Sequence, residues 1–320
     1  MIVQQQCTVR AATLEDAQPI ADLVNAVDLV EIGAAEYSLD EVREDLRATG
    51  ADIARNSWLA FDGDQLVSYG ALWNEYGNER IDIDHYVRAD AHPAGARLID
   101  LMTARAAEVA AENGADEAVI HLHLPPGSAM AGAVLPALGW TVVRRHHVLK
   151  RPVSVAADPV PAAPSGVSLR TAKSEADHRI VYELLQDAFS AHFDHHPESY
   201  DGWRQRTGAD ELDWSLVWIA TLDGTDIGAL LGRNNRETMG WVRSIGVLAA
   251  ARGRGIGTFL LRIAYAEFAR RGRDTVGLGV DTQNATGALR LYEGLGMTLH
   301  FAADNWEIRV PAAGLAEQAG

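Results

Sequence analysis

Residues 252–261 read Arg-Gly-Arg-Gly-Ile-Gly-Thr-Phe-Leu-Leu, and they follow an apolar stretch, 241–248, that predicts a β-strand. Closely spaced glycines before an apolar run predict a tight turn that opens a helix. The first N–H groups of a helix have no partners inside it and lie at its positive end, so they can bind a phosphate or a pyrophosphate. Glycine suits this turn because a Cβ would keep the ligand away from the backbone.

Two other phosphate-binding motifs fit this turn less well. A P-loop needs Gly-Lys followed by Ser or Thr, and the sequence contains no such triplet. A dinucleotide fingerprint needs a third glycine, but Thr258 stands at that position. It also needs an acid at the end of the second strand, whereas Asp274 comes before that strand.

Two motifs of this region resemble those of the GNAT acetyltransferase superfamily. Arg252, Gly255 and Gly257 have the Arg-x-x-Gly-x-Gly spacing of that superfamily's acetyl-CoA pyrophosphate turn. A later helix resembles the one that carries an Asn and a Tyr and ends on Gly plus a large apolar residue. Its matching positions are Asn284, Leu289, Tyr292, Gly296 and Met297. Both motifs occur in the expected order and at the expected separation.

The composition argues against several other classes of protein. The chain has 320 residues, which suits two domains, and a formal net charge of −16. The negative charge disfavours nucleic acid and anionic membranes. It would favour a cationic acceptor such as an amine, although a solvated acidic surface is the simpler explanation. Cys7 is the single cysteine, so we expect neither disulfides nor a cysteine metal site. The sequence has no apolar run of membrane-spanning length and no leader-like start, which predicts a cytoplasmic protein.

The second half of the chain repeats the first half. Leu169-Arg170-Thr171-Ala172 matches Val9-Arg10-Ala11-Ala12, and Asp223-Gly224 matches Asp62-Gly63. Leu295-Gly296-Met297-Thr298 likewise matches Leu138-Gly139-Trp140-Thr141. A repeat of this length at nearly constant spacing predicts two copies of one domain rather than a solenoid.

This tandem order resembles the double-domain GNAT proteins, the mycothiol synthase type among them. The fold class we predict is therefore α/β (α+β), with two GNAT-like domains. Each would be a mixed, mostly antiparallel sheet flanked by helices. The predicted domains are a degenerate domain 1–151, a Pro/Ala linker 152–165, a catalytic domain 166–310 and a loose tail 311–320.

The two copies differ where the motifs lie. Residues 92–97, His-Pro-Ala-Gly-Ala-Arg, align with the glycine turn, so only one of its two motif glycines is kept and a proline removes one backbone donor. Leu135 stands where the second copy has Tyr292. We therefore expect the first domain to have a structural role and not to catalyse.

The resemblance implies how the second domain would hold acetyl-CoA. Strand 244–247 would splay from strand 275–280, its backbone would pair with the pantetheine, and the N–H groups of 252–258 would bind the pyrophosphate. The implied contacts are Ile245, Val247, Arg252, Gly253, Arg254, Gly255, Ile256, Gly257, Thr258 and Asn284. A tight turn without a ligand is the alternative, and the helix dipole alone explains Arg270, Arg271 and Arg273 near the last turn of the helix.

Acetyl transfer to an amine also needs a proton donor and a proton acceptor. The resemblance assigns the donor to Tyr292, which would protonate the departing sulfur, although the helical periodicity by itself also fits a tyrosine at the edge of the core. The acceptor is not identified, because Trp241 stands where mycothiol synthase and many relatives carry a glutamate. Glu237 and Asp281 are the nearest acids, and either would act through water.

The acceptor site is predicted from a polar loop, 192–198, which reads His-Phe-Asp-His-His-Pro-Glu. Asp194 or His195 would reach the amine, and Trp241 would line its pocket. A solvated loop and, less favoured, a metal site are the alternatives. We predict that no metal takes part.

The predicted function is transfer of an acetyl group from acetyl-CoA to a primary amine of a small molecule, by direct attack on the thioester. Two alternative functions are compatible with the same fold. They are mycothiol synthesis itself and acetylation of a protein N-terminus or lysine. A non-catalytic acyl-CoA sensor is the alternative from another class, because the glutamate is replaced.

Overall fold

The computed structural model of the chain describes residues 7–35, 37–48, 52–234, 236, 238–284 and 286–313. The chain forms two compact units. Unit 1 consists of residues 1–145 and 302–320, and unit 2 consists of residues 146–301. Each unit therefore takes a segment from the other half of the sequence.

Apart from α3 (Ile53–Asn56), the helices and strands follow one another in the order that the repeat predicts. They are β1 (Thr8–Arg10), α1 (Ala17–Glu31), α2 (Leu39–Ala48), α3 (Ile53–Asn56), β2 (Ser57–Asp62), β3 (Gln65–Trp73), β4 (Arg80–Val87), α4 (His92–Glu112), β5 (Glu117–Leu124), α5 (Ala129–Ala137), β6 (Thr141–Pro152), β7 (Val167–Thr171), α6 (Glu175–Phe189), α7 (Tyr200–Thr207), β8 (Val217–Leu222), β9 (Thr225–Arg233), β10 (Met239–Val247), α8 (Ile256–Arg270), β11 (Thr275–Asp281), α9 (Ala288–Gly294) and β12 (Thr298–Pro311).

The sheet of unit 1 has the strand order β1-β2-β3-β4-β5-β12. Its pairs are antiparallel, except that β4 and β5 run parallel. The strand beside β5 comes from the end of the chain, because Asp304–Pro311 of β12 pairs with Glu117–Leu124. This strand contributes Trp306, which lies in the core beside α4 and α5.

The sheet of unit 2 repeats this plan with the order β7-β8-β9-β10-β11-β6. Its pairs are antiparallel, except that β10 and β11 run parallel. The strand beside β11 comes from the first half of the sequence, because residues 146–152 of β6 pair with Thr275–Asp281. The repeat places domain boundaries at residues 151 and 166, whereas the two compact units exchange these last strands.

The long helix of each unit covers its sheet with an apolar face. In unit 2, Phe259, Leu260 and Phe268 of α8 are buried in one core with residues of β8 to β11. Gly240 is required in β10, because a Cβ at that position would overlap the Phe268 ring. This close contact holds α8 against the strand that leads into the glycine turn.

The fold class predicted from the sequence is confirmed: both units are mostly antiparallel sheets with helices packed against them. The predicted loose tail is wrong at its start. Pro311 ends β12, the Ala312 N–H donates to the Asp116 carbonyl at 3.0 Å, and the Ala313 N–H donates to the Ala107 carbonyl at 2.9 Å. The rest of that tail, 314–320, lies outside the described residues.

The proline-rich segment predicted as a linker forms neither helix nor strand between Pro152 and Val167. Of the helices that the structure describes, not one is both long and apolar enough to cross a membrane.

Candidate active site

The parallel strands β10 and β11 separate part of the way along their length. Their ladder runs from the pair Met239–Thr275 to the pair Val242–Leu278. Beyond it, β10 continues on β9, and β11 continues on β6. The separation begins at a β-bulge, since the register with β9 shifts between Val242 and Ser244 and leaves Arg243 as the extra residue. The splayed strands predicted from the sequence are confirmed.

A cavity of about 500 Å³ occupies this split and lies wholly within unit 2. Most of the residues predicted to hold acetyl-CoA line it, and so does the predicted proton donor. They are Ile245, Val247, Arg252, Gly253, Gly255, Ile256, Gly257, Thr258, Asn284 and Tyr292. Arg254, which was also predicted to contact the cofactor, is exposed and is not part of the lining.

The glycine turn has the left-handed backbone that its sequence predicts. Gly253 has φ 76° and Gly255 has φ 77°. Gly255 is the N-cap of α8, and no side chain caps this end of the helix. A Cβ at either glycine would meet no atom within 4 Å, so the backbone conformation, and not packing, demands glycine here. Successive amides in such a turn form a concave site that suits an anion, which fits the pyrophosphate of coenzyme A.

Arg252 fixes the position of this turn as well as adding charge. Its Nε donates to the Val247 carbonyl at 3.0 Å, and its Nη2 donates to the Ala188 carbonyl at 3.4 Å. These bonds connect the turn to the end of β10 and to α6. The guanidinium therefore places a positive charge in the wall of the cavity.

Tyr292 is presented by α9 and is 7% exposed. Burial raises the pKa of its hydroxyl to about 12. The hydroxyl therefore keeps its proton at neutral pH, which is the state that a proton donor requires.

Two histidines and one acid line the same cavity. His192 lies in the loop that follows α6, Asp281 ends β11, and His146 lies opposite Asp281 in the β6–β11 ladder. Burial lowers the pKa of His192. Asp281 acts to raise that pKa, while Arg252 and His195 act to lower it further. His192 is therefore a neutral imidazole at pH 7, able to accept a proton.

The structure does not bring the predicted acceptor residues Asp194, His195 and Trp241 into the lining of this cavity. Asp194 has a left-handed backbone, with φ 56°, and its Oδ1 lies 3.0 Å from Nε2 of His196. Trp241 packs against Gly277, where a Cβ would lie 2.8 Å from its ring. Glu237, one of the two acids suggested as a base, lies outside the described residues.

Sequence reasoning missed His146 and did not single out His192 within its loop. His146 belongs to the first half of the sequence, so a site placed wholly in the second half omits it. Exchange of β6 brings it to the cavity. The sequence did contain a signal for His192. It is the residue of the polar loop nearest to α6, so the helix limits where its side chain can lie.

Within the part of the chain that the structure describes, no group of three or more His, Cys, Asp or Glu side chains is placed to hold a metal ion.

The equivalent place in unit 1 is filled with side chains. The β4–β5 ladder ends at the pair Ile83–Leu122, so this parallel pair also splits. A Cβ on Gly95, in the first turn of α4, would lie 3.0 Å from Val87, 3.1 Å from His85 and 3.1 Å from Met130. This packing supports the prediction that the first domain has lost its cofactor site.

Comparison with known proteins places the chain among acetyltransferases. The family model described as the acetyltransferase (GNAT) family matches residues 179–297. A mycothiol acetyltransferase of Nocardia farcinica is 30% identical over 88% of this chain and 90% of its own length. One of Mycobacterium marinum is 33% identical over 70% of this chain and 74% of its own length. The chain spans about three fifths of another, from Tsukamurella paurometabola, which is 35% identical over 53% of this chain and 61% of its own length.

Solved structures agree with this placement. A GCN5-related N-acetyltransferase from Sphaerobacter thermophilus superposes with a TM-score of 0.78 at 25% identity, over 96% of each chain. A tandem GNAT protein from the clavulanic acid biosynthesis pathway shares the fold, with a TM-score of 0.67 at 17% identity over 96% of this chain and 99% of its own. The chain therefore belongs to the GNAT family of acetyltransferases.

Proposed function

We propose that this enzyme transfers an acetyl group from acetyl-CoA to a primary amine of a small molecule, within the cavity of unit 2. The observation that carries the proposal is that two features line the same cavity. The left-handed glycine turn at the start of α8 supplies backbone donors for a diphosphate, and the buried Tyr292 supplies a proton.

The splayed part of β10 supports the way in which the donor would be held. Ile245 and Val247 pair with β9 on one side, and the ladder with β11 ends before them at Val242. Their backbone therefore offers a strand edge to which the amide-bearing pantetheine arm can add. The N–H groups of 253–258 would then bind the pyrophosphate, with Arg252 contributing charge.

Tyr292 is proposed as the general acid. Loss of the sulfur as a free thiolate is costly, and a neutral phenol beside the sulfur lowers this cost by donating its proton. With a pKa of about 12, the hydroxyl is fully protonated at neutral pH but is still acidic enough to be shared with a developing thiolate.

A small cationic acceptor suits the negative charge of the chain, −16. The similar proteins named mycothiol acetyltransferase make a mycothiol-type amine one candidate. Trp241, at the position where mycothiol synthases carry glutamate, favours testing a wider panel of amines. A protein N-terminus or a lysine is the other acceptor class to be included.

The test is release of free CoA by the purified full chain, with acetyl-CoA and a panel of primary amines that includes a mycothiol-type acceptor and a peptide. We expect turnover with at least one small amine, and a loss of about 100-fold or more in Tyr292→Phe. Acetyl-CoA affinity, measured by calorimetry, should stay within a few-fold in this variant. Tight acetyl-CoA binding without turnover on any amine would support the sensor instead.

A further inference from the structure

The proposed reaction needs a group that takes a proton from the acceptor. A primary amine with a lysine-like pKa, about 10, is almost entirely an ammonium ion at pH 7 and has no lone pair with which to attack. A base in the cavity lowers the barrier by removing that proton where the reaction occurs. The inference that follows rests on the proposed function.

Few groups in the cavity wall can act in this way. The arginines of the lining, Arg243 and Arg252, stay protonated, and Tyr292 keeps its proton. The remaining titratable groups of the lining are His146, His192 and Asp281.

We propose that His192 is the general base for the acceptor amine and that Asp281 stabilises the imidazolium that forms. His192 lies in the loop that follows α6 and lines the cavity together with Tyr292. Its backbone N–H donates to the Phe189 carbonyl at 2.8 Å. The edge of its ring contacts the Phe189 ring, with the centroids 4.5 Å apart. Both contacts limit the directions in which the imidazole can point.

The charges around His192 suit a base that works near neutral pH. Burial, Arg252 and His195 favour the neutral ring and hold its pKa below the usual value, whereas Asp281 favours the protonated ring. Arg243 from β10 and His146 from β6 are the other charged or titratable groups in the wall besides Tyr292. The imidazole therefore enters the reaction neutral, and the Asp281 carboxylate in the same cavity wall stabilises the charge that it gains.

The protons and bonds balance in the resulting step. His192 accepts one proton from the ammonium, and the amine nitrogen then bonds to the carbonyl carbon as the carbon–sulfur bond breaks. Tyr292 donates a proton to the departing sulfur and is restored by the second proton that the nitrogen loses. His192 releases its proton to solvent, so the products are the acetamide, free CoA and one proton.

The test compares two histidines of the same loop. His192→Gln removes the proposed base, and His196→Gln is the matched control, because His196 bonds Asp194 and does not line the cavity. The measurement is kcat/KM from pH 5 to 10, with acetyl-CoA affinity recorded in parallel.

We expect His192→Gln to lose about 100-fold in kcat/KM at pH 7, to lose the acid limb of the profile, and to recover with less basic amines. Its acetyl-CoA affinity should stay within about twofold, and His196→Gln should behave as the wild type. Asp281→Asn should move the acid limb to lower pH, because the carboxylate raises the pKa of His192.

Three results would overturn the inference: an unchanged profile in His192→Gln, an equal loss in His196→Gln, or loss of the acid limb in His146→Gln instead. In each of these cases, turnover by the wild type that is lost in Tyr292→Phe would still support the proposed function. Absence of turnover in the wild type itself would defeat the proposed function first.

Discussion

In both units the same pair of parallel strands separates at equivalent places, and in unit 2 the separation holds a cavity of about 500 Å³. In unit 1 the corresponding space contains His85, 4% exposed, and Met130, with no exposed area. The sheet therefore creates the split in both units, whereas the side chains beside it decide whether it stays open. In unit 1 this space belongs to the core, and in unit 2 it is the cavity of the candidate site.

The helices that border the two splits show the same difference. In unit 2, α8 begins at a left-handed glycine that leaves its first amides without a side-chain cap. In unit 1, α4 also begins without a side-chain cap, but Pro93 has no N–H and the Ala94 amide donates to the Ala91 carbonyl at 3.0 Å. The first turn of α8 is therefore better suited to bind a phosphate than the first turn of α4.

The largest expected effect concerns the stability of unit 1, in which side chains fill the space between the separated strands β4 and β5. Leu135 has no exposed area and stands where unit 2 has Tyr292. Leu135→Ala should lower the free energy of unfolding by about 2–5 kcal/mol, because it leaves a void in a close-packed core. Urea titration measures this loss, and kcat/KM of the remaining folded enzyme should not change. A Leu135→Ala enzyme of normal stability would mean that this space is not core.

Acid should weaken unit 1 through His85. Burial lowers the pKa of His85 to about 4, below the usual 6.5. Between these values the unfolded chain binds a proton that the folded chain excludes, so stability falls as the pH drops from 6.5 to 4, by about 3 kcal/mol in all.

The comparison of the wild type with His85→Gln isolates this effect from other groups. Asp45 has a pKa raised by burial, to about 7, and this shift acts in the opposite direction. It is present in both proteins. The difference in unfolding free energy between the two proteins should therefore shrink as the pH falls, and a constant difference would show that His85 titrates normally.

The glycine turn of unit 2 should tolerate no branched side chain. Gly255→Val should weaken acetyl-CoA binding by about 100-fold, because a β-branched residue at φ 77° strains the backbone, by about 1–2 kcal/mol, and covers the anion site. Gly272→Val is the matched control, since Gly272 has φ 78°, equally open surroundings and no place in the cavity wall.

Calorimetry should find similar melting temperatures for the two valine variants and a loss of affinity in Gly255→Val only. Equal affinities would indicate that the turn does not contact the cofactor.

The smallest effect separates two arginines of one turn. Arg252 lines the cavity and Arg254 does not. Arg252→Ala should weaken acetyl-CoA binding about tenfold, with a reduced dependence on salt, because a screened charge near the phosphates is removed. Arg254→Ala should change affinity by less than about threefold. A larger loss of affinity in Arg254→Ala than in Arg252→Ala would support the cofactor contact that the sequence predicts for Arg254.

The parts of the molecule that could be predicted from the sequence are those encoded locally. The spacing of Gly253, Gly255 and Gly257 fixes a left-handed turn before a helix, and the repeat fixes the order of elements in both halves. The motif around Tyr292 places a tyrosine beside that turn. Each of these features depends on residues close together in the chain, so the sequence specifies them directly.

The exchange of β6 and β12 could not be predicted in this way. Both strands have the pattern of a terminal sheet strand, and that pattern does not say which of two similar sheet edges a strand will join. For the same reason, the place of His146 in the site could not be predicted, because this residue reaches the cavity only as part of β6. Within the loop 192–198, His192 lines the cavity and Asp194, which has a left-handed backbone, does not, a local detail that the composition of the loop does not encode.

Hydrogen exchange of backbone amides with and without acetyl-CoA tests the central claim most directly. Acetyl-CoA should slow exchange at residues 253–258 and leave exchange at residues 92–97 unchanged. Slowed exchange at 92–97, or no change at 253–258 in a protein that binds acetyl-CoA, would contradict this claim.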